Sequence, residues 1–385
     1  MNRPMSGPFA ILLAIGCAGT SLLGAACDEK KASQNTPTGD AGASADKYAT
    51  ADPKLEKALQ AAAAAAPPSE NGPPPDGIFA PGAADHRHAK GLPTTVEMIG
   101  DGTEPRITLT GPAADAVKSS YGPGVMELGM QMGPRVAMPT VDFGLAFSPG
   151  KKEDGGADWL VAGVKRATPA KQQLGDLPPG TDQAIASLDG SEFRIKLAAD
   201  GGESDLQIVL GKGAHAELDR LARSAAESLV LATVPMPTKP VGVGAQWIAE
   251  TRMPLSGVDV IAYRAFRLKS IDGARVHLSL DVKAYATSTD TVLQGVPKGA
   301  TLEQVDAQAQ GELELVRGEV LARKSDVQQR IVLVFQAPGA ADAPEVPDPN
   351  APPGEPPAGK KTLTAQMQIQ ATFVRGDDLR AALRP

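Results

Sequence analysis

The chain has 385 residues, 42% hydrophobic but only 4% aromatic, with 41 Gly and 34 Pro. Its formal net charge is −7 and it has no Lys/Arg-rich block, so it lacks the electrostatic footprint of a nucleic-acid binder and a polybasic patch for anionic lipid. Its two cysteines exclude a disulfide-built scaffold, and the chain is long enough to bury a sizeable apolar core instead.

Arg3 opens the chain with a positive charge, an uncharged run extends from Pro8 to Ala26, and Asp28 and Glu29 follow directly after Cys27. This is the layout of a secretory signal. Gly19, Thr20, Ser21 and Gly24 interrupt the second half of the run, which suits an extended cleavage region better than a spanning helix. The stretch Leu22-Leu23-Gly24-Ala25-Ala26-Cys27 resembles a bacterial lipobox, with Gly24 where Leu or Val is usual. The resemblance implies a diacylglycerol on the Cys27 sulfur and cleavage just before it. Cys17 is the competing site, and plain secretion or an uncleaved anchor are the other outcomes. Residues 1–26 are thus read as a signal peptide and Cys27 as the lipidation site. The expected location is the cell envelope, with acyl chains in the membrane and the protein facing the periplasm or the exterior. If Cys17 leaves with the signal, Cys27 is the one cysteine left, with no internal disulfide and no cysteine metal site.

Residues 27–91 read as an Ala/Pro-rich disordered tether. Large apolar residues are scarce, so little offsets the entropy of ordering. Leu55, Ala58 and Leu59 have helical spacing within Pro53–Ala66, but an isolated helix of that length is marginal. A second Pro-rich stretch, 337–360, lies between two strong strand patterns and reads as a disordered loop within the folded domain.

The folded domain, 92–385, is dominated by period-two alternation. Val141/Phe143/Leu145/Phe147, Leu160/Ala162/Val164, Phe193/Ile195/Leu197 and Leu206/Ile208/Leu210 each predict a half-buried strand. So do Val276/Leu278/Leu280/Val282, Val305/Ala307/Ala309 with Leu313/Leu315, Ile331/Leu333/Phe335 and the run Thr362–Val374. Asp189-Gly190, Asp200-Gly201-Gly202, Asp272-Gly273 and Arg317-Gly318 place Gly where a tight turn needs positive φ. Between the strands, residues 214–231 predict one helix, with Leu218, Leu221, Ala225 and Leu229 on its apolar face and Arg220 and Glu227 on other faces. The predicted fold is mainly β: a large curved antiparallel sheet, an open half-barrel, packed on one amphipathic helix.

Chemistry-bearing motifs are scarce. Gly242-Val243-Gly244-Ala245-Gln246-Trp247 has Trp at the third glycine position of a dinucleotide fingerprint and leads into a strand, so it reads as a turn whose Trp247 plugs the core. His86 and His88 have no third ligand nearby and read as a solvated polar stretch, and His215 and His277 have no sequence-adjacent partner. No nucleophile elbow or paired-carboxylate signature is present. The expectation is no catalytic residue, no metal site and no cofactor. Met126, Leu128, Met130 and Met132 share one strand face, and thioethers adapt to varied apolar ligands as well as to ordinary cores.

Pro237, Pro240-Val241-Gly242-Val243-Gly244 and Trp247, between a helix and a strand, resemble an uncharacterised bacterial lipoprotein family (domain of unknown function 6263) over roughly 92–376. The family is similar to half-barrel lipoprotein carriers of the LolA/LppX type, which implies an apolar cavity between sheet and helix. Two functions follow as expectations. In the first, the half-barrel holds a lipid or other apolar ligand, lined by Met126, Leu128, Met130, Met132, Leu218, Leu221, Ala225 and Leu229. In the second, the core is fully packed and the protein acts structurally or by contact with an envelope partner.

Overall fold

The computed structural model describes residues 57–58, 76–110, 117–133, 136–150, 158–170, 177–198, 200–289, 296–337 and 362–379, all within one compact unit spanning 52–385. The signal, Cys27, the tether up to residue 75 and the Pro-rich loop from 338 lie outside the described residues, apart from Lys57 and Ala58.

Alternation folds as expected, into one antiparallel sheet. Its strands are β1 (Thr95–Gly100), β2 (Gly122–Met132), β3 (Val136–Ala137), β4 (Val141–Pro149), β5 (Asp158–Pro169), β6 (Glu192–Leu197) and β7 (Glu203–Val209). The second half holds β8 (Gln246–Leu255), β9 (Val258–Asp272), β10 (Arg275–Ala286), β11 (Thr301–Val316), β12 (Lys324–Gln336) and β13 (Thr362–Arg375). The spatial order is β1-β8-β9-β10-β11-β12-β13-β2-β4-β5-β6-β7, with β3 beside β2. Two meanders therefore join where β13 pairs with β2, and β1 leaves its own half to flank β8. The sheet is curved and unclosed. Hairpins turn where glycine permits it: Gly201 and Gly273 take φ of 84° and 59°. The two-residue loop Ser256-Gly257 joins β8 to β9 with both φ positive, the backbone that matches strand twist.

Three helices accompany the sheet among the described residues: α1 (Ala83–Arg87), α2 (Thr181–Ala186) and α3 (Asp219–Leu231), the last preceded by a 3-10 turn, Ala216–Leu218. The long helix matches the predicted one. Its second half, Ser224 to Leu231, is buried on every side, packed within the main core that also holds Trp247, Phe143, Phe193 and Phe373. Trp247 plugs this core as expected, stacked 5.4 Å from Phe266, with its indole N–H donating to Pro235 O at 2.9 Å.

Two sequence readings need correction. The tether does not continue to residue 91. Phe79 and Ala84 bury against Ile248, Ile261, Tyr263 and Ala265 on the sheet's other face, and Phe79 meets Tyr285 edge-to-face at 6.0 Å. Arg87 bonds Glu250 at 2.9 Å, and Arg252 holds Asp85. His88 is therefore not solvated. It is buried, its Nε2 lies 3.2 Å from Leu92 O and its Nδ1 3.5 Å from Glu250. This second layer also explains β9, which the alternation did not predict. With Val260, Ala262 and Phe266 in the main core and Ile261, Tyr263 and Ala265 under the outer layer, β9 is apolar on both faces.

The two edges of the sheet meet at one corner. Thr94, just before β1, donates its backbone N–H to Glu203 O of β7 at 3.1 Å and its hydroxyl to the same oxygen at 2.9 Å. Behind this corner, Arg264 of β9 forms a buried ion pair with Glu203. It also donates to Thr251 of β8 (3.2 Å), to Val230 O of α3 (3.1 Å) and to Thr233 O (3.3 Å). One guanidinium thus ties β7, β8, β9 and the helix end together. Arg264→Ala is expected to cost about 3–5 kcal/mol in urea unfolding, because it strands the Glu203 carboxylate in the core. The double change Arg264→Met with Glu203→Leu should recover most of that loss. A single-site cost below about 1 kcal/mol would show that the clasp is not structural.

Candidate functional site

The interior between α3 and β2 is the site that the sequence points to. Alternation along β2 turns Met126, Leu128 and Met130 inward, and all three are buried. Leu221, Ala225 and Leu229 of the helix are buried in the same core, and Met132 and Leu218 pack half-buried against it. Leu128, Ala225 and Leu229 have no accessible surface at all. A side chain without accessible surface borders no space that admits even a water molecule, so these three are filled in by their neighbours.

The polar contacts to the methionine stripe come from a different helix flank than the leucine face. Ser224 places its hydroxyl 3.6 Å from Met130 Sδ, and Arg220 Nη1 lies 3.2 Å from Met132 Sδ. Ser228 donates to Ser224 O at 2.7 Å and accepts from Gln329 Nε2 of β12 at 3.2 Å. Glu227 continues this flank. Its Oε1 accepts the Ser256 backbone N–H at 2.8 Å, from the tip of the β8–β9 hairpin, and its Oε2 has no partner. Ser256 in turn lies 3.9 Å from Met367 Sδ of β13, and Met367 is the direct register partner of Met132. Burial pushes the Glu227 carboxyl up to about 8, opposed by the Ser256 hydrogen bond and the charge of Arg223.

The sequence reading set Glu227 and Arg220 away from the core, and the structure overturns this for Glu227, which is 1% exposed. The cause is that α3 lies in the hollow of a curved sheet, so its later turns meet protein all round. A signal for this was present. From Ser224 to Ala232, Glu227 is the only charged residue, and a helix end with so little charge reads as buried on every face.

At the seam between β7 and the free second half of β8 lies a cleft of about 240 Å³, bordered by Lys90, Lys196, Asp205, Leu206, Met253 and Pro254. Its charges are mixed, and Pro254 removes a backbone donor from the edge, a device that discourages edge-to-edge pairing. Among the described residues no group of three His, Cys, Asp or Glu could hold a metal ion, and no helix is long and apolar enough to cross a membrane.

The Glu227 geometry fixes a pH dependence. Between about 4.5 and about 8 the folded protein keeps a proton that the unfolded chain releases. This contribution to stability is therefore whole below pH 4.5 and is lost as pH rises through 8. Chemical denaturation across this range should show a fall of up to about 1.4 kcal/mol per pH unit from this one group. Glu227→Gln should flatten that slope and leave stability at about pH 4 unchanged. A variant with the wild-type slope would refute the assignment.

No protein-family model matches the chain, and no curated protein matches it. Among solved structures, the crystal structure of Pseudomonas aeruginosa OccK10 (OpdN) aligns at 6% identity with a TM-score of 0.13, covering 67% of this chain and 99% of that one, a likeness too slight to inform either fold or function.

Proposed function

We propose that this protein is a cell-envelope lipoprotein, held at the membrane by acyl chains on Cys27, whose β domain works by contact with a partner and not by carrying an apolar ligand in its interior. The observation that supports this most is the filled space between helix and sheet, where Leu128, Ala225 and Leu229 have no accessible surface. A carrier of acyl chains needs an apolar volume at that place. The acidic chain has no basic patch to hold a membrane, so attachment falls to the lipid. The seam cleft, flanked by the edge strand β7 and the half of β8 that β1 leaves uncovered, is the surface this reading assigns to an envelope protein partner.

A second reading keeps the apolar ligand but moves it. Met132, Leu218, Leu363 and Met367 are only half-buried, and they offer an apolar rim at one end of the sheet. A short apolar group could rest there without entering the core.

Two measurements separate these readings. Delipidated protein titrated with a fluorescent fatty acid should show no saturable uptake. Uptake that Met132→Asp or Met367→Asp abolishes would replace the first reading with the second. Cys27→Ala should move the protein from the membrane to the soluble fraction and remove the acyl mass. A variant that stays membrane-bound would place the anchor at Cys17 or in an uncleaved signal.

A further inference from the structure

Three thioethers and one carboxyl group lie on one circuit of neighbouring residues near the half-buried end of the sheet. Met132 and Met367 face each other as register partners on β2 and β13, which sets their Cβ atoms about 5 Å apart. Met130 is the next residue of β2 on the same face. From Met130 the circuit passes to Ser224 (3.6 Å), along one helical turn to Glu227, to the Ser256 amide (2.8 Å), and through the Ser256 hydroxyl to Met367 (3.9 Å). Each sulfur therefore has a polar group as a neighbour. The one carboxylate of the circuit is buried with an unpaired Oε2, and the Gln329 amide oxygen beside Ser228 is unpaired as well.

We propose that Met130, Met132 and Met367 bind a soft monovalent cation, Cu(I), with the Glu227 carboxylate as its buried counter-charge. Thioether sulfur is a ligand set that selects Cu(I) over harder divalent ions. A monovalent cation that takes the place of the Glu227 carboxyl proton, which passes to solvent, leaves the site neutral and the buried carboxylate paired. Met132 and Met367 are half-buried, so an ion reaches the sulfurs from solvent without unfolding the core. Arg220 is the charged group that opposes binding, since its guanidinium occupies the Met132 sulfur at 3.2 Å. It must swing away as the ion enters, and it lowers the affinity while it stays.

The test uses the full chain with isotope-labelled methionine methyl groups, titrated without oxygen with Ag(I) as a redox-inert stand-in, and with Cu(I) in competition with bicinchoninate. At one equivalent the methyl signals of Met130, Met132 and Met367 should shift together, and those of the remaining seven of the ten methionines should stay in place. Leucine at any of the three positions preserves volume and fold, checked by thermal melting. It should weaken binding about ten-fold or more, a loss of the size seen when a metal site is disturbed. Glu227→Gln should also weaken it, and Arg220→Met should tighten it. The proposal is overturned if the ion leaves these methyl signals unmoved and its binding disappears in Cys17→Ala or Cys27→Ala chains. It is equally overturned if the leucine variants bind as the parent does.

Discussion

The fold depends on the buried Arg264–Glu203 pair. A curved sheet that stops short of closure leaves two free edges, β1 and β7, and nothing in the antiparallel ladder brings them together. They meet at Thr94 and Glu203, and Arg264 sits directly behind that meeting point. Desolvating both ions is costly enough that the pair adds little net stability over a well-packed apolar replacement. Its value is positional. The guanidinium has several donors in a fixed plane, and they are shared among a carboxylate, a threonine and helix carbonyls. Only one arrangement of β7, β8, β9 and α3 satisfies all of them at once. Arg375 repeats the device at the far end of β13, donating to Glu319, to Leu321 O and Ala322 O, and to Ser119 O.

The clasp also fixes the environment of the helix. Val230 O, at the C-terminal end of α3, already accepts the Thr233 N–H and hydroxyl, and Arg264 adds a charged donor to it and to Thr233 O just beyond the helix, where a cation opposes the negative end of the helix dipole. Held in this way, α3 lies in the hollow of the sheet and loses its solvent face over its last two turns. Small residues on that stretch, Ser224, Ala225, Ala226 and Ser228, let the sheet approach closely. Glu227 is the exception to this apolar packing, and its raised protonation range follows directly from the position the clasp imposes.

The sheet was legible because most strands have one wet face, so alternation in sequence reports directly on burial. Val276/Leu278/Leu280/Val282 and Ile331/Leu333/Phe335 lie in the core as their spacing predicts. β9 was not legible, for the converse reason. The layer around Phe79 and Ala84 dries its second face, and Val260 to Phe266 then reads, Arg264 apart, as an undifferentiated apolar run. That layer was hidden in turn because two or three apolar residues in a Pro- and Ala-rich segment carry no periodicity. The clasp was invisible for a different reason: Arg264 and Glu203 are 61 positions apart, and nothing local to either residue pairs them. The methionine stripe was legible as a face of β2. Its partners were not, because the helix presents the Arg220/Ser224/Glu227 flank to Met130 and Met132, and a helical wheel ranks that flank as the wet one.

What fills the interior constrains what the molecule can do. A carrier keeps its sheet apart from its helix and leaves apolar surface without a partner. Here the Leu face of α3 is already satisfied by the protein, and among the described residues the groups of this interior left incompletely satisfied are polar acceptors, the Glu227 Oε2 and the Gln329 amide oxygen. An apolar guest in the core would have to displace native packing at about 25 cal/mol for every Å² of contact it removes, and would leave those polar atoms as they are. A small polar or charged guest would satisfy them without that loss. The chemistry of the interior therefore favours an ion or a donor beside Glu227 over an acyl chain beside Leu128, Ala225 and Leu229, where no space remains.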